Sequence, residues 1–220
     1  MQGKKKNFLK IVILGDSGVG KTTLLQQYIS GKFQGQAKPT IGADFSKKEI
    51  MIDNAMVTLQ IWDTAGQEKF QSLGYAFYRG ADCCALVYDI TNEASFKNVE
   101  KWKSIFLENA GPTDPGSFPF ACIGNKLDKQ AERQVPMDEA HEWAGAHCNS
   151  IFYETSAKDG QNVENAFKDM TKAALKREAS MQITMPQSIG LGGDTSQIRL
   201  SQPGQTAKGQ MQPQKDSSCC

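Results

Sequence analysis

The sequence predicts an α/β fold, a doubly wound, six-stranded, mostly parallel sheet with one antiparallel edge strand. Apolar runs typical of strands alternate with segments whose apolar residues recur at helical spacing. Only residues 53–55 separate the second run from the third, which is too short for a parallel crossover and indicates a hairpin. Every other connection contains a helix, so we expect functional sites at the C-terminal ends of parallel strands.

Strands and helices are expected in a regular order. The strands are predicted at residues 8–14, 45–52, 56–62, 83–88, 118–124 and 151–155, and the helices at 21–30, 68–78, 95–109, 136–147 and 161–177. Apolar spacing defines the third helix through Phe96, Val99, Trp102 and Phe106. Pro136 suits the first turn of the fourth helix, where a backbone N–H is not needed.

Length and composition indicate one domain with flanking segments. We expect an N-terminal arm at residues 1–7, a domain at 8–178 and a disordered tail at 179–220 that is rich in Gln, Ser, Gly and Pro. The net charge of +1 does not favour nucleic-acid binding. The sequence also has no apolar run of membrane-spanning length, no signal-peptide core and no myristoylation signal.

The cysteines do not form a disulfide or metal pattern. Cys83 and Cys84 are adjacent in a strand and should point to opposite faces, while Cys122 and Cys148 lie in a strand and near a helix end. We expect all four to be small buried or half-buried thiols in a reducing compartment.

The most specific motif is a phosphate-binding loop, G-x-x-x-x-G-K-T, at residues 15–22. It follows a predicted strand and precedes a predicted helix, so its backbone N–H groups and the helix N-terminus can hold phosphate oxygens. Lys21 adds a positive charge, and the Thr22 hydroxyl can ligate Mg²⁺. The candidate phosphate-binding residues are Ser17, Gly18, Val19, Gly20, Lys21, Thr22 and Thr23. The loop predicts binding of a nucleoside di- or triphosphate.

Two further motifs indicate that the base is guanine. Asn125, Lys126 and Asp128 follow one predicted strand, and Ser156, Ala157 and Lys158 follow the next. The Asp128 carboxylate can accept from N1–H and the 2-amino group of guanine, which adenine does not offer. The Lys126 stem can cover one face of the base, and the Ala157 N–H can donate to O6.

A third segment, at residues 63–67, is suited to the terminal phosphate and its metal. Asp63 can hold a water on Mg²⁺, the Gly66 N–H can approach the γ-phosphate, and Gln67 can orient the attacking water. Thr40 lies in a Pro-containing loop and can bring a hydroxyl to the metal. Because both segments touch only the terminal phosphate and its metal, both lose their anchor on hydrolysis.

With these motifs, residues 8–178 resemble the P-loop GTPase domain of the Ras superfamily, and specifically its Rab branch. The stretches that carry the Rab resemblance are IGADF at 41–45, LQIW at 59–62, FYRGA at 77–81 and LVYDIT at 86–91. Residues 70–74 and 76–84 look most like the late-endosomal and lysosomal subgroup.

The resemblance implies several further roles. Phe33 should pack against the guanine, and Phe45, Trp62 and Phe77 match an exposed aromatic triad that meets effectors; the alternative for these three is core packing. Cys219 and Cys220 match a double-cysteine prenylation signal, although the subgroup more often ends Cys-x-Cys. Lys69 stands where the family usually has Arg, and Ser17 replaces a glycine of Ras.

The resemblance thus implies a monomeric, membrane-tethered GTPase switch that uses GTP, GDP and Mg²⁺ in vesicle trafficking, with Gln67 and Lys21 as catalytic residues. Turnover should be slow, on the order of 10⁻⁴ to 10⁻³ per second, because the first switch offers no arginine finger. The expected partners are effectors, an exchange factor, an activating protein and a prenyl-masking carrier. The expected location is the cytosolic face of endosomal or lysosomal membranes, with cycling through the cytosol. The alternatives are a catalytically silent nucleotide-binding module and another phosphoryl-transfer enzyme such as a nucleotide kinase.

Overall fold

A single six-stranded sheet organises the protein. The computed structural model describes residues 8–33, 35, 40, 42–65, 71–148 and 151–184. The strands are β1 (Phe8–Leu14), β2 (Ala43–Ile52), β3 (Ala55–Thr64), β4 (Cys83–Asp89), β5 (Phe120–Asn125) and β6 (Phe152–Glu154). Their order is β2-β3-β1-β4-β5-β6, and only the β2–β3 pair is antiparallel. The predicted fold class is confirmed.

The antiparallel pair is the predicted hairpin. Ile52 pairs with Ala55, so the turn contains only Asp53 and Asn54. Both have positive φ, 47° and 64°, as a type I′ turn requires. Asp and Asn tolerate this left-handed conformation better than most residues, so the local sequence fits the turn.

The helices are α1 (Lys21–Ser30), α2 (Gln71–Tyr78), α3 (Glu93–Lys97), α4 (Val99–Ala110), α5 (Met137–His147) and α6 (Val163–Thr184). A short 3₁₀ segment, Leu127–Glu132, was not predicted. Within the described residues, every helix is too short or too polar to span a lipid bilayer.

Two helix predictions need correction. The single helix expected at 95–109 is two helices that meet at Asn98, and α3 starts early because the Asn92 side chain accepts from the Ser95 N–H. The last helix runs to Thr184, so residues 179–184 are helical rather than part of a disordered tail. No proline lies between Val163 and Pro186, so none interrupts the helix before Thr184. Residues 185–220 lie outside the described residues, as do 68–70 of the second predicted helix.

The sheet is buried on both faces. Helices α1 and α6 cover one face, and α2, α3, α4 and α5 cover the other. Cys83 packs on the first face and Cys84 on the second, as predicted. Cys122 and Cys148 are also buried and free, and burial raises the pKa of the Cys148 thiol to about 12. Because both faces are covered, polar groups for chemistry must lie at the strand ends.

Candidate functional site

The phosphate loop connects β1 to α1 at the C-terminal edge of the sheet. Gly20 precedes α1 with φ 95°, and no side chain caps the helix N-terminus. The first turn of α1 contains no acidic residue, so the positive end of the helix is left for an anion. Ser17 and Gly18 are exposed, Val19 is buried, and Thr22 and Thr23 are half-buried in the first turn of α1.

Lys21 is held inside this loop. Its side chain is buried, and its Nζ donates to the carbonyl oxygens of Gly15 at 2.7 Å and Asp16 at 2.9 Å. Burial lowers the pKa of Lys21 to about 8, although the carboxylates of Asp63 and Asp16 act in the opposite direction. The loop therefore fixes a cation beside the helix N-terminus, where phosphate oxygens would lie.

Three oxygen-bearing side chains from separate elements meet beside Lys21. The Oγ1 atoms of Thr22 and Thr40 lie 2.8 Å apart. Both hydroxyls donate to Asp63 Oδ2, Thr40 at 3.3 Å and Thr22 at a shorter distance. Burial raises the pKa of Asp63, and hydrogen bonds from Thr22 and Thr40 and the charge of Lys21 oppose that rise.

This group fits Mg²⁺. Asp63 is only 1% exposed, and its Oδ1 is buried without a hydrogen-bond partner among the residues that the structure describes. An unpaired buried carboxylate oxygen is costly unless a cation or another donor reaches it. Hydroxyl and carboxylate oxygens are also the hard ligands that Mg²⁺ prefers. The structure thus brings together the three residues that the sequence singled out as metal ligands.

Asn125, at the end of β5, joins the base-binding segments to the phosphate loop. Its Nδ2 donates to the Val19 carbonyl at 2.9 Å, and its Oδ1 accepts from the Ala157 N–H at 3.2 Å and the Thr155 hydroxyl at 3.3 Å. Asn125 is 1% exposed. A Cβ added at Gly20 would lie 2.4 Å from Asn125 Nδ2, so only glycine permits this approach. The Ala157 N–H, expected to donate to O6 of a base, donates to Asn125 here.

The residues predicted to read the base lie in the loop that follows β5 and in the segment that follows β6. The buried Ser156 hydroxyl donates to Asp128 Oδ1 at 3.0 Å and so orients the exposed Asp128 carboxylate. Lys126 adopts φ 70° and pairs with Asp89 Oδ2 at 2.6 Å. Burial raises the pKa of Asp89, but hydrogen bonds from Lys126 and Thr91 outweigh it and lower the pKa overall. The carboxylate therefore stays charged and holds the Lys126 side chain.

Several residues of the site were not predicted. Asp89 orients Lys126, and Arg133 binds Glu154 through two hydrogen bonds, which fixes the 3₁₀ segment against β6. Asp16 contacts Asn98 and Trp102 of α4. Asp16 lies at a variable position of the phosphate-loop motif, Asp89 lies in the stretch LVYDIT that was noted only for its family resemblance, and the other residues lie in no motif, so spacing alone offered no signal for their roles.

The aromatic triad forms one continuous cluster. Trp62 stacks on Phe77 with ring centres 4.7 Å apart and contacts Phe45 at 5.1 Å. Phe45 is 45% exposed, and Trp62 and Phe77 are half-buried. The cluster therefore lies at the margin of the core, because Trp62 packs against buried core residues while Phe45 is exposed. Its contact with effectors stays a prediction.

The remaining predicted site residues are less constrained. Lys158 is exposed beside the buried Ala157, and Phe33 is 45% exposed in the loop after α1. Their contacts with a base stay predictions. Gly66, Gln67, Lys69, Cys219 and Cys220 lie outside the described residues.

Comparison with known proteins gives a consistent result. The sequence model of the Ras family matches residues 10–176. The chain is 53% identical over 204 residues to the Ras-related protein Rab-7a of Paramecium octaurelia, covering 93% of this chain and 99% of that protein. It is 52% identical over 198 residues to Ras-related protein Rab7 of Drosophila melanogaster, with 89% and 95% covered. Ras-related protein Rab7 of Pisum sativum is 50% identical over 197 residues, with 89% and 96% covered.

Proposed function

Because this chain belongs to the Ras family and is a Rab7-like small GTPase, we propose that it is a membrane-tethered switch that controls traffic from late endosomes to lysosomes or vacuoles. Members of this family hydrolyse GTP, so the chain is a GTPase of vesicle trafficking rather than a silent module or a nucleotide kinase.

The observation that carries the proposal is the Asn125 connection. One buried side chain bonds the phosphate loop at Val19 and the Ala157 segment at the same time. Phosphate-binding and base-binding elements are therefore held at a fixed separation, as a nucleotide needs. In the proposed mode, Asp128 accepts from N1–H and the 2-amino group of guanine, and its position is set by Ser156.

Hydrolysis is proposed to depend on five residues acting on the terminal phosphate and its metal. Lys21 places a positive charge beside the phosphate oxygens, and Gln67 orients the attacking water. Thr22, Thr40 and Asp63 would hold Mg²⁺, which when bound supplies positive charge that stabilises the phosphoryl oxygens. The chain offers no arginine finger in the first switch, so slow intrinsic turnover and dependence on an activating protein are expected.

The switch itself is proposed to couple the terminal phosphate to the aromatic surface. Thr40 and Asp63 contact each other beside the phosphate loop, and Asp63 is one residue from Trp62 of the aromatic triad. Loss of the γ-phosphate would release the segments that contain Thr40, Gly66 and Gln67 and change the surface that effectors meet.

Membrane attachment is proposed through prenylation of Cys219 and Cys220. Residues 179–220 contain three basic and two acidic side chains, which is too little charge to recruit the chain electrostatically. One lipid gives only marginal, reversible binding, so two chains are expected. The proposed location is the cytosolic face of endosomal and lysosomal membranes, and a carrier that masks the lipids would return the protein to the cytosol.

The proposal is tested by identifying the nucleotide and its fate. Nucleotide released from the purified, denatured chain should be GDP or GTP in stoichiometric amount, and preloaded GTP should be hydrolysed in a single turnover that EDTA slows. Thr22→Asn should weaken Mg²⁺ coordination and favour the GDP form, whereas Thr113→Asn, in an exposed loop, should behave as wild type. Bound adenine nucleotide, or hydrolysis indifferent to both EDTA and Thr22→Asn, would contradict the proposal.

A further inference from the structure

Asp16 connects the phosphate loop to helix α4, far away in sequence. Its Oδ1 accepts from the Trp102 indole Nε1–H at 2.7 Å, and its Oδ2 accepts from the Asn98 amide at 2.7 Å. Both carboxylate oxygens are thus directed at α4 rather than at the inside of the loop. We refer to Asp16, Asn98 and Trp102 as the Asp16 cluster.

The two donors of the Asp16 cluster are themselves fixed. Trp102 is 3% exposed and packs in the core beneath the sheet, so its ring cannot follow a moving loop. Asn98 lies at the junction of α3 and α4, and its backbone N–H bonds to Ala94. A buried indole N–H needs an acceptor, and the Asp16 carboxylate supplies it.

The backbone of Asp16 takes part in the site directly. Lys21 Nζ donates to the Asp16 carbonyl oxygen at 2.9 Å. Holding the Asp16 side chain against α4 therefore also holds one of the two carbonyl groups that position the phosphate-binding lysine. A binding group that is fixed before the ligand arrives loses less conformational entropy on binding.

We propose that the Asp16 cluster is a positioning device that fixes the phosphate loop on α4 and thereby sets the rate at which bound nucleotide is released. This inference rests on the proposed nucleotide-binding function. It adds Trp102 and Asn98, which lie outside the phosphate loop, to the residues that determine how long a nucleotide stays bound. Loosening the cluster frees the loop and shortens the lifetime of the complex.

The charge of Asp16 acts in the opposite direction from its hydrogen bonds. A carboxylate near the phosphates repels them, so removing the charge alone should slow release or leave it unchanged. Asp16→Asn tests this separately, because the amide oxygen can still accept from Trp102 and the Asn98 amide can rotate to pair with the new N–H₂. Trp102→Phe and Asp16→Ala instead remove the hydrogen bonds.

The experiment measures release of a fluorescent GDP analogue from the full chain in excess unlabelled GDP. Trp102→Phe and Asp16→Ala should each raise the dissociation rate about tenfold: Trp102→Phe loses one hydrogen bond to a charged group, and Asp16→Ala loses two, partly offset by the loss of the repulsive charge. The double variant should be no faster than the faster single variant, because both changes break the same contact. Asp16→Asn should release GDP no faster than wild type.

A matched control separates positioning from general destabilisation. Trp143→Phe makes the same substitution at a half-buried tryptophan in α5, where the ring stacks on His147. It should leave the release rate unchanged. The indole N–H resonance that disappears in Trp102→Phe identifies Trp102, and it should move upfield in Asp16→Ala and by a smaller amount in Asp16→Asn, whose neutral amide oxygen is a weaker acceptor.

The outcomes separate the two levels of inference. If wild type holds GDP and neither Trp102→Phe nor Asp16→Ala changes the release rate, or if Trp143→Phe changes it equally, the Asp16 cluster has no positioning role. Additive effects in the double variant would contradict it as well. A wild-type chain that does not retain GDP overturns the proposed function, and this inference with it.

Discussion

Removal of the Asn125 side chain is the sharpest test of how the site is assembled. Asn125 lies at the end of β5, 1% exposed, and its amide bonds to four groups from two other segments: the Val19 and Gly20 carbonyls, the Thr155 hydroxyl and the Ala157 N–H. Asn125→Ala keeps the backbone hydrogen bonds of the strand and deletes only these contacts. The change therefore isolates the connection between the phosphate loop and the segment that follows β6.

The size of the effect follows from what is left unpaired. The Val19 carbonyl and the Ala157 N–H both belong to buried residues, and each unpaired buried group costs about 1–3 kcal/mol. The Thr155 hydroxyl, 3.3 Å away, can rotate toward another acceptor and adds little. We expect the free energy of unfolding to fall by about 3 kcal/mol.

The assay is urea unfolding with and without saturating GDP and Mg²⁺. The increase in stability produced by GDP depends on its affinity, so it should shrink in Asn125→Ala because the two ligand-binding segments lose their fixed separation. Asn92→Ala is the matched control, since the exposed Asn92 makes one capping bond at the start of α3. Asn92→Ala should lower the free energy of unfolding by about 1 kcal/mol and leave the increase in stability produced by GDP unchanged. If Asn125→Ala matches the control in both measurements, the connection made by the Asn125 side chain contributes nothing to nucleotide binding.

Three further predictions concern the base, the water and the membrane. Asp128→Asn should lose affinity for GTP and gain affinity for xanthine nucleotide, whose C2 carbonyl accepts from the new amide; competition binding measures this, and an unchanged preference for GTP would remove Asp128 from base recognition. Gln67→Leu should keep nucleotide affinity and slow hydrolysis about tenfold or more, since a transition-state hydrogen bond is lost; single-turnover assays with preloaded GTP check it, and a wild-type rate would mean that another residue orients the water. The Cys219→Ser/Cys220→Ser double variant should be entirely cytosolic on membrane fractionation, and intact mass spectrometry of the native protein should show two isoprenoids; sedimentation of the GTP-loaded double variant with membranes would indicate a protein anchor instead.

The spacing of apolar and turn-forming residues predicted most of the fold, because that spacing itself decides which side chains are buried and so which element forms. The apolar run before Gly15 forms β1 over Phe8–Leu14, as expected, and two residues that tolerate positive φ form the hairpin turn. The break at Asn98 was not predictable in this way. Phe96, Val99, Trp102 and Phe106 all face the same core, so apolar spacing continues across the break. Only the Asn98 side chain, which turns to Asp16, distinguishes this position.

The sequence by itself determined the sheet, its one antiparallel pair and the residue types proposed to meet phosphate, base and metal, because strand and helix periodicity and the motifs are local properties. Tertiary structure alone decided which of those residues touch. Asp16 and Trp102 are 86 positions apart, Asn125 and Val19 are 106 apart, and Thr40 reaches Asp63 from a different loop. These contacts arise because parallel strands bring distant loops to one edge of the sheet, where buried polar groups must find partners. No spacing within a single segment encodes that requirement.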